Sequence, residues 1–186
     1  MVREPVRTRL PLVAGLSLLG LAMVAIGALA VPPAQAETDP PQVDYQGFLE
    51  LTSDIEAYRE TRLVDLDTFN AMKSDPNTIL IDARSSGAFY TGHIEGAVNL
   101  NFSDFSAGML AEVIGSKDRR VLIYCNNNFT DNVAPVVLKS APLALNVPTL
   151  INLYGYGYEN IYELSGAYSI DDPEIGWTSG PTYQQN

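Results

Sequence analysis

The chain has 186 residues, with 11 Lys and Arg against 22 Asp and Glu, and a single Cys, His and Trp. One Cys excludes an internal disulfide framework, and one Cys with one His falls short of the three or four ligands of an ordinary zinc site. A formal charge of −11 opposes binding to nucleic acid, whose phosphates call for a basic face.

Residues 1–36 read as a secretory signal. Arg3, Arg7 and Arg9 precede a stretch from Leu10 to Ala36 without any charge, which closes on Pro32-Pro33-Ala34-Gln35-Ala36. A basic start, an apolar middle and a small-residue exit are the parts of an export signal, here with cleavage after Ala36 and a periplasmic or secreted product. The alternative is an uncleaved inner-membrane anchor, since an apolar run of roughly 20 residues can span a bilayer. Without residues 1–36 the chain keeps 8 basic and 21 acidic side chains, a charge of −13.

Residues 37–62 are expected to form a linker, marked by Pro40-Pro41, followed by a helical arm. Tyr45, Phe48, Leu49, Leu51, Ile55 and Tyr58 recur mostly at three- and four-residue steps, which predicts an amphipathic helix. A short helix is expected from Asp67, as N-cap, through Lys73. Thr78–Asp82, Arg120–Tyr124 and Asn160–Leu164 are compact apolar runs, and Val98–Leu100 is a shorter one. Such runs separated by helical patterns predict an α/β fold with a buried parallel sheet. Phe105–Ile114 is expected as a helix opened by Ser103 or Asp104 and stopped at Gly115. A further helix, starting near Asp131 and running through Val133–Leu138, is expected directly after the Tyr124 strand end. Tyr154-Gly155-Tyr156-Gly157-Tyr158 reads as a helix end closed by glycine with rings packed on the core.

Ligands of open α/β sheets bind beyond the carboxyl ends of the strands. Cys125 sits there, and Asn126-Asn127-Asn128-Phe129-Thr130 would form a turn of converging backbone N–H groups feeding the next helix. That arrangement lowers a thiol pKa and stabilises an anion on sulfur. Position alone leaves this reading level with a second one, a buried Cys acting as a small hydrophobe.

Several blocks together resemble a rhodanese-like domain: Asp82-Ala83-Arg84, Phe89, Gly92-His93-Ile94-Glu95-Gly96-Ala97-Val98-Asn99-Leu100, Val121-Leu122-Ile123-Tyr124-Cys125, and Asn160–Leu164 followed by Gly166. The resemblance covers roughly residues 63–168 and places a domain at 63–170, with 171–186 left as a C-terminal tail. It implies a three-layer α/β/α fold with a central five-stranded parallel sheet. It also implies sulfurtransfer: Cys125 as nucleophile, a persulfide held by the Asn126–Thr130 loop, and no metal or organic cofactor. The partners implied are a small sulfur donor (thiosulfate, polysulfide or persulfide) and a thiol or cyanide acceptor. Nucleic acid is not among them, and a membrane enters only with an uncleaved N-terminal segment.

Departures from the family pattern shape the expected activity. Members active on thiosulfate usually carry Gly three residues after the Cys and Arg or Lys five after it; this chain has Asn128 and Thr130. A missing cation predicts weak use of thiosulfate, with Asp131 adding repulsion. Phosphatases of the same fold place Arg where Asp131 stands, so phosphatase activity is not expected. Asp82 and Arg84 are read chiefly as an internal salt bridge fixing the strand-to-helix turn, with a supporting role at the site rim as the other reading. His93 is read as a structural, hydrogen-bonding residue. The segment from Pro142 to Leu150 is longer than the family spacing, and a helix around Val147–Leu153 is expected to roof the site. Two other functions compete: a non-catalytic rhodanese-fold module that docks a protein partner, and a thiol redox sensor.

Overall fold

A computed structural model describes residues 42–180. The expected export segment lies outside them. Helix α1 (Tyr45–Glu60) opens on Asp44, whose side chain accepts the Gly47 N–H at 2.8 Å. Strand β1 (Leu63–Val64) leads into α2 (Leu66–Lys73), capped by Asp65 accepting from Thr68 N–H at 2.9 Å. The cap is therefore Asp65, not Asp67, which falls inside the first turn. Then follow β2 (Thr78–Asp82), α3 (Ser86–Thr91), β3 (His93–Ile94) and β4 (Ala97–Asn99). Helix α4 (Ala107–Ile114) is capped by Ser106 rather than Ser103 or Asp104; those two belong to a separate 3-10 turn, Phe102–Asp104. It stops at Gly115, where φ is +81° and a side chain would be strained. Strand β5 (Arg120–Tyr124), α5 (Asn146–Gly155), β6 (Ile161–Leu164) and β7 (Trp177–Thr178) complete the order.

Five strands form one parallel sheet in the order β1-β6-β5-β2-β4. A separate antiparallel pair, β3 with β7, joins His93 to Thr178 and Ile94 to Trp177. Successive side chains of a strand point to opposite faces, so both central strands read as continuous apolar runs only because both faces are covered. Ile79, Ile81, Val121 and Ile123 pack with Ile55 of α1, Leu110 of α4 and Leu150 of α5. Leu80, Leu122 and Tyr124 pack on the other side with Phe69 of α2 and Phe89 of α3. The result is the expected three-layer α/β/α sandwich. The chain beyond Asp171 is tied to it: Ile175 is fully buried, and the Trp177 ring meets Phe129 edge-on at 4.9 Å.

No helix follows β5 directly. A single 3-10 turn, Asn126–Asn128, is followed by irregular chain as far as Asn146, interrupted by another 3-10 turn at Ala141–Leu143. The apolar residues of Val133–Leu138 had suggested a helix, yet Pro135 cannot donate a helical hydrogen bond. Asn side chains take over the backbone instead. Asn127 Nδ2 donates to the Lys139 carbonyl at 2.8 Å and its Oδ1 accepts the Lys139 N–H at 3.1 Å. Asn126 Nδ2 reaches the Val137 carbonyl, and Asn132 Oδ1 accepts from Leu138 N–H. Such side-chain bonds compete with helix formation.

Candidate active site

Cys125 continues the extended backbone of β5, with φ −146° and ψ −175°. The alternation that places Val121 and Ile123 against α5 carries Cys125 to the same face. β5 is the middle strand of the five, with β6 and β2 on either side of it. Cys125 as a residue is only 1% exposed, and it forms part of the wall of a pocket of about 440 Å³. Arg59, Asn127, Asn128, Asn146, Glu163 and Ser165 contribute the other polar side chains of that wall.

These side chains form one connected network. Asn128 is buried and accepts the Cys125 N–H on Oδ1 at 2.9 Å, while its Nδ2 donates to the Leu164 and Gly166 carbonyls at 2.7 and 3.1 Å. Asn146 Nδ2 donates to Asn128 Oδ1 and to Glu163 Oε1, each at 3.1 Å. Glu163 in turn receives Arg59 through two parallel bonds of 2.8 Å, Nε to Oε2 and Nη2 to Oε1. Register explains why Glu163 is near: it is paired with Ile123, two residues before the cysteine, on the same face of the sheet.

Backbone N–H groups of Asn146, Asn127 and Leu145 favour the anion on the sulfur. Two of the three come from the start of α5, so that helix, some 20 residues after the cysteine, takes the place expected for one beginning near Asp131. Burial nevertheless dominates and pushes the Cys125 thiol above its ordinary value, with the Glu163 carboxylate adding to the rise. The lowered pKa expected from position alone is thus reversed, and the resting thiol is protonated at neutral pH.

The remaining candidate residues divide between two faces. Asn127 and Asn128 line the thiol pocket; Asn126, Phe129 and Thr130 do not. Phe129 is buried in the opposite layer with Tyr124 and Trp177, and the exposed Thr130 gives its N–H to the Tyr168 carbonyl at 2.9 Å. Asp131 also turns away, accepting from Ile170 N–H and Ser169 Oγ, so the carboxylate that borders the sulfur is Glu163. Asp82 and Arg84 form a buried ion pair on the far face, closed by Tyr124 Oη donating to Asp82 Oδ2 at 2.6 Å and Arg84 Nη2 donating to the Gly92 carbonyl at 2.8 Å. His93 is buried, stacked on Phe89 at 3.8 Å, with Nδ1 2.8 Å from the Phe89 carbonyl. The sequence reading did not single out Arg59, Asn146 or Glu163. Only Glu163 carries a signal, a charge inside an otherwise apolar strand.

Comparison with known proteins places this geometry in a family. No curated protein matches the chain significantly. Among solved structures, the Alr3790 protein of Anabaena sp. is 18% identical over 56% of this chain and 80% of its own, with a TM-score of 0.41. The BH2092 protein of Bacillus halodurans is 19% identical over 61% of this chain and 77% of its own, also at 0.41. A solution structure of the rhodanese-like domain of Alr3790 is 17% identical over 57% and 69% of the two chains. The model of the rhodanese-like domain matches residues 65–169, more than half of the sequence, and the chain belongs to that family.

Proposed function

We propose that this protein is a rhodanese-like sulfurtransferase or persulfide carrier, moving sulfane sulfur through a Cys125 persulfide to a thiol or cyanide acceptor. The observation that carries the reading is Cys125 in the wall of a pocket at the carboxyl end of the central strand, beside backbone N–H groups of the next turn and of the start of α5 that favour a sulfur anion. In this chemistry the thiolate attacks the outer sulfur of the donor, the donor S–S bond breaks, and the leaving group departs with the electron pair. The acceptor repeats the exchange and restores the thiolate. Thiosulfate is a poor donor on this reading, because a dianion would meet Glu163 and an Arg59 whose charge Glu163 already balances.

Incubation with polysulfide followed by intact-mass measurement tests the proposal. One added sulfur atom is expected, lost in Cys125→Ala; absence of the adduct at every pH refutes it. The raised thiol pKa favours a second reading, a binding module in which Cys125 only fills space, and the same measurement separates the two. An export signal would make the domain periplasmic or secreted, or inner-membrane anchored if it is not cleaved, and N-terminal sequencing of the mature form tests cleavage after Ala36.

A further inference from the structure

We infer that the molecule exchanging sulfur with Cys125 is a small organic persulfide or thiol with an aliphatic body, seated in a groove between α1 and α5 with its sulfur end at the thiol. The inference rests on the sulfurtransfer reading and names its substrate class. A second cavity, of about 480 Å³, lies between those helices and is lined by Leu49, Thr52, Ile55, Val147, Leu150 and Ile151. Arg59 and Val147 line both this groove and the thiol pocket, so the two share a wall. Volumes of this size, with an apolar lining broken by a few polar groups, suit a small molecule.

Charge selects the same class. The charged groups along the combined path are Glu56, Arg59 and Glu163, two carboxylates against one guanidinium. A dianionic donor is repelled, whereas an uncharged or singly charged sulfur compound is accommodated. Arg59 commits Nε and Nη2 to Glu163, which leaves the N–H groups of Nη1 for a ligand. Its guanidinium interacts favourably with negative charge on Cys125 and stands where the departing thiolate of a groove-bound donor would develop charge. The step balances: Cys125–SH first gives its proton to solvent, Cys125–S⁻ and R–S–SH then give Cys125–S–SH and R–S⁻ with one S–S bond formed and one broken, and R–S⁻ takes up a proton from solvent. The outer sulfur keeps its proton. Helix α1 precedes the matched residues 65–169, so one wall of the groove lies outside the matched region and the other, from α5, inside it.

The test compares loading of Cys125 by methyl persulfide, n-hexyl persulfide and thiosulfate, read as adduct formation by intact mass. Each methylene seated in the groove is worth roughly fourfold, so two or three predict a hexyl advantage over methyl of about fifteen- to sixtyfold in second-order rate. Ser53→Trp, an exposed position on the groove wall, should bring that ratio close to one. Calorimetry of n-hexanethiol with Cys125→Ser should show binding that Ser53→Trp abolishes, a readout independent of sulfur transfer. Equal rates for methyl and hexyl donors, or a ratio unmoved by Ser53→Trp, overturn the groove while leaving sulfurtransfer standing. No adduct from any donor removes both.

Discussion

Arg59 of α1 and Glu163 of β6, 104 positions apart in sequence, meet through two hydrogen bonds of 2.8 Å at the mouth of the Cys125 pocket. The pair ties the N-terminal helix to the sheet, and it sets the field around the sulfur. Glu163 raises the thiol pKa, and Arg59 opposes it. Replacing Glu163 with Gln keeps the shape and removes the negative charge. The rate of alkylation by iodoacetamide, followed against pH, should then rise at lower pH than in the parent protein. A curve moved to higher pH contradicts the assignment.

Removing the cation should do the opposite. Arg59→Ala leaves the nearly buried Glu163 with Asn146 as its remaining side-chain partner, so the thiol pKa climbs further and alkylation at mildly alkaline pH slows. Stability should fall by about 1–3 kcal/mol, less than for a fully buried pair because the Arg59 end is open to solvent, read as a shift in urea midpoint. Combining Arg59→Ala with Glu163→Gln should restore much of both losses. Additive losses in the double variant would show that the pair does not act as a unit.

Thr130 separates what the sequence predicts from what the fold does. By position it replaces the family's cation, which suggests that restoring Arg there should restore thiosulfate use. In the structure Thr130 is exposed, held by the Tyr168 carbonyl, and lies outside the thiol pocket. Thr130→Arg should therefore leave thiosulfate-to-cyanide turnover within about twofold of the parent, since exposed charges outside a site contribute little. A tenfold gain would mean that the loop swings inward when substrate binds.

The parallel sheet was legible because β2 and β5 are unbroken apolar runs, the mark of strands covered on both faces. Cys125 was legible for the same reason, as the first residue past such a run. The segment after it was not. Val133–Leu138 looks helical by composition, yet Pro135 and the bonds from Asn126, Asn127 and Asn132 to backbone groups at Val137–Lys139 hold it in another form. The neighbours of the sulfur come from α1, α5 and β6, and no local pattern announces that Arg59 or Asn146 will reach it. Even the sign of the thiol shift depended on burial, which tertiary packing decides.

Asp82 and Arg84 offer a control in which stability and reactivity come apart. Their ion pair is buried on the face of the sheet away from Cys125; Arg84 also spans to the Gly92 carbonyl, and Tyr124 Oη closes on Asp82. Asp82→Asn removes the charge that balances Arg84 without changing side-chain volume. A buried cation left without its anion costs roughly 3–5 kcal/mol, enough to consume much of a small domain's stability. Urea or thermal unfolding should register that loss directly. Because Asp82 has no place in the thiol pocket, the pH dependence of Cys125 alkylation in the still-folded fraction should match the parent protein. If instead the alkylation curve moves while the unfolding midpoint stays put, Asp82 belongs to the reactive site rather than to the scaffold that holds β2 against α3.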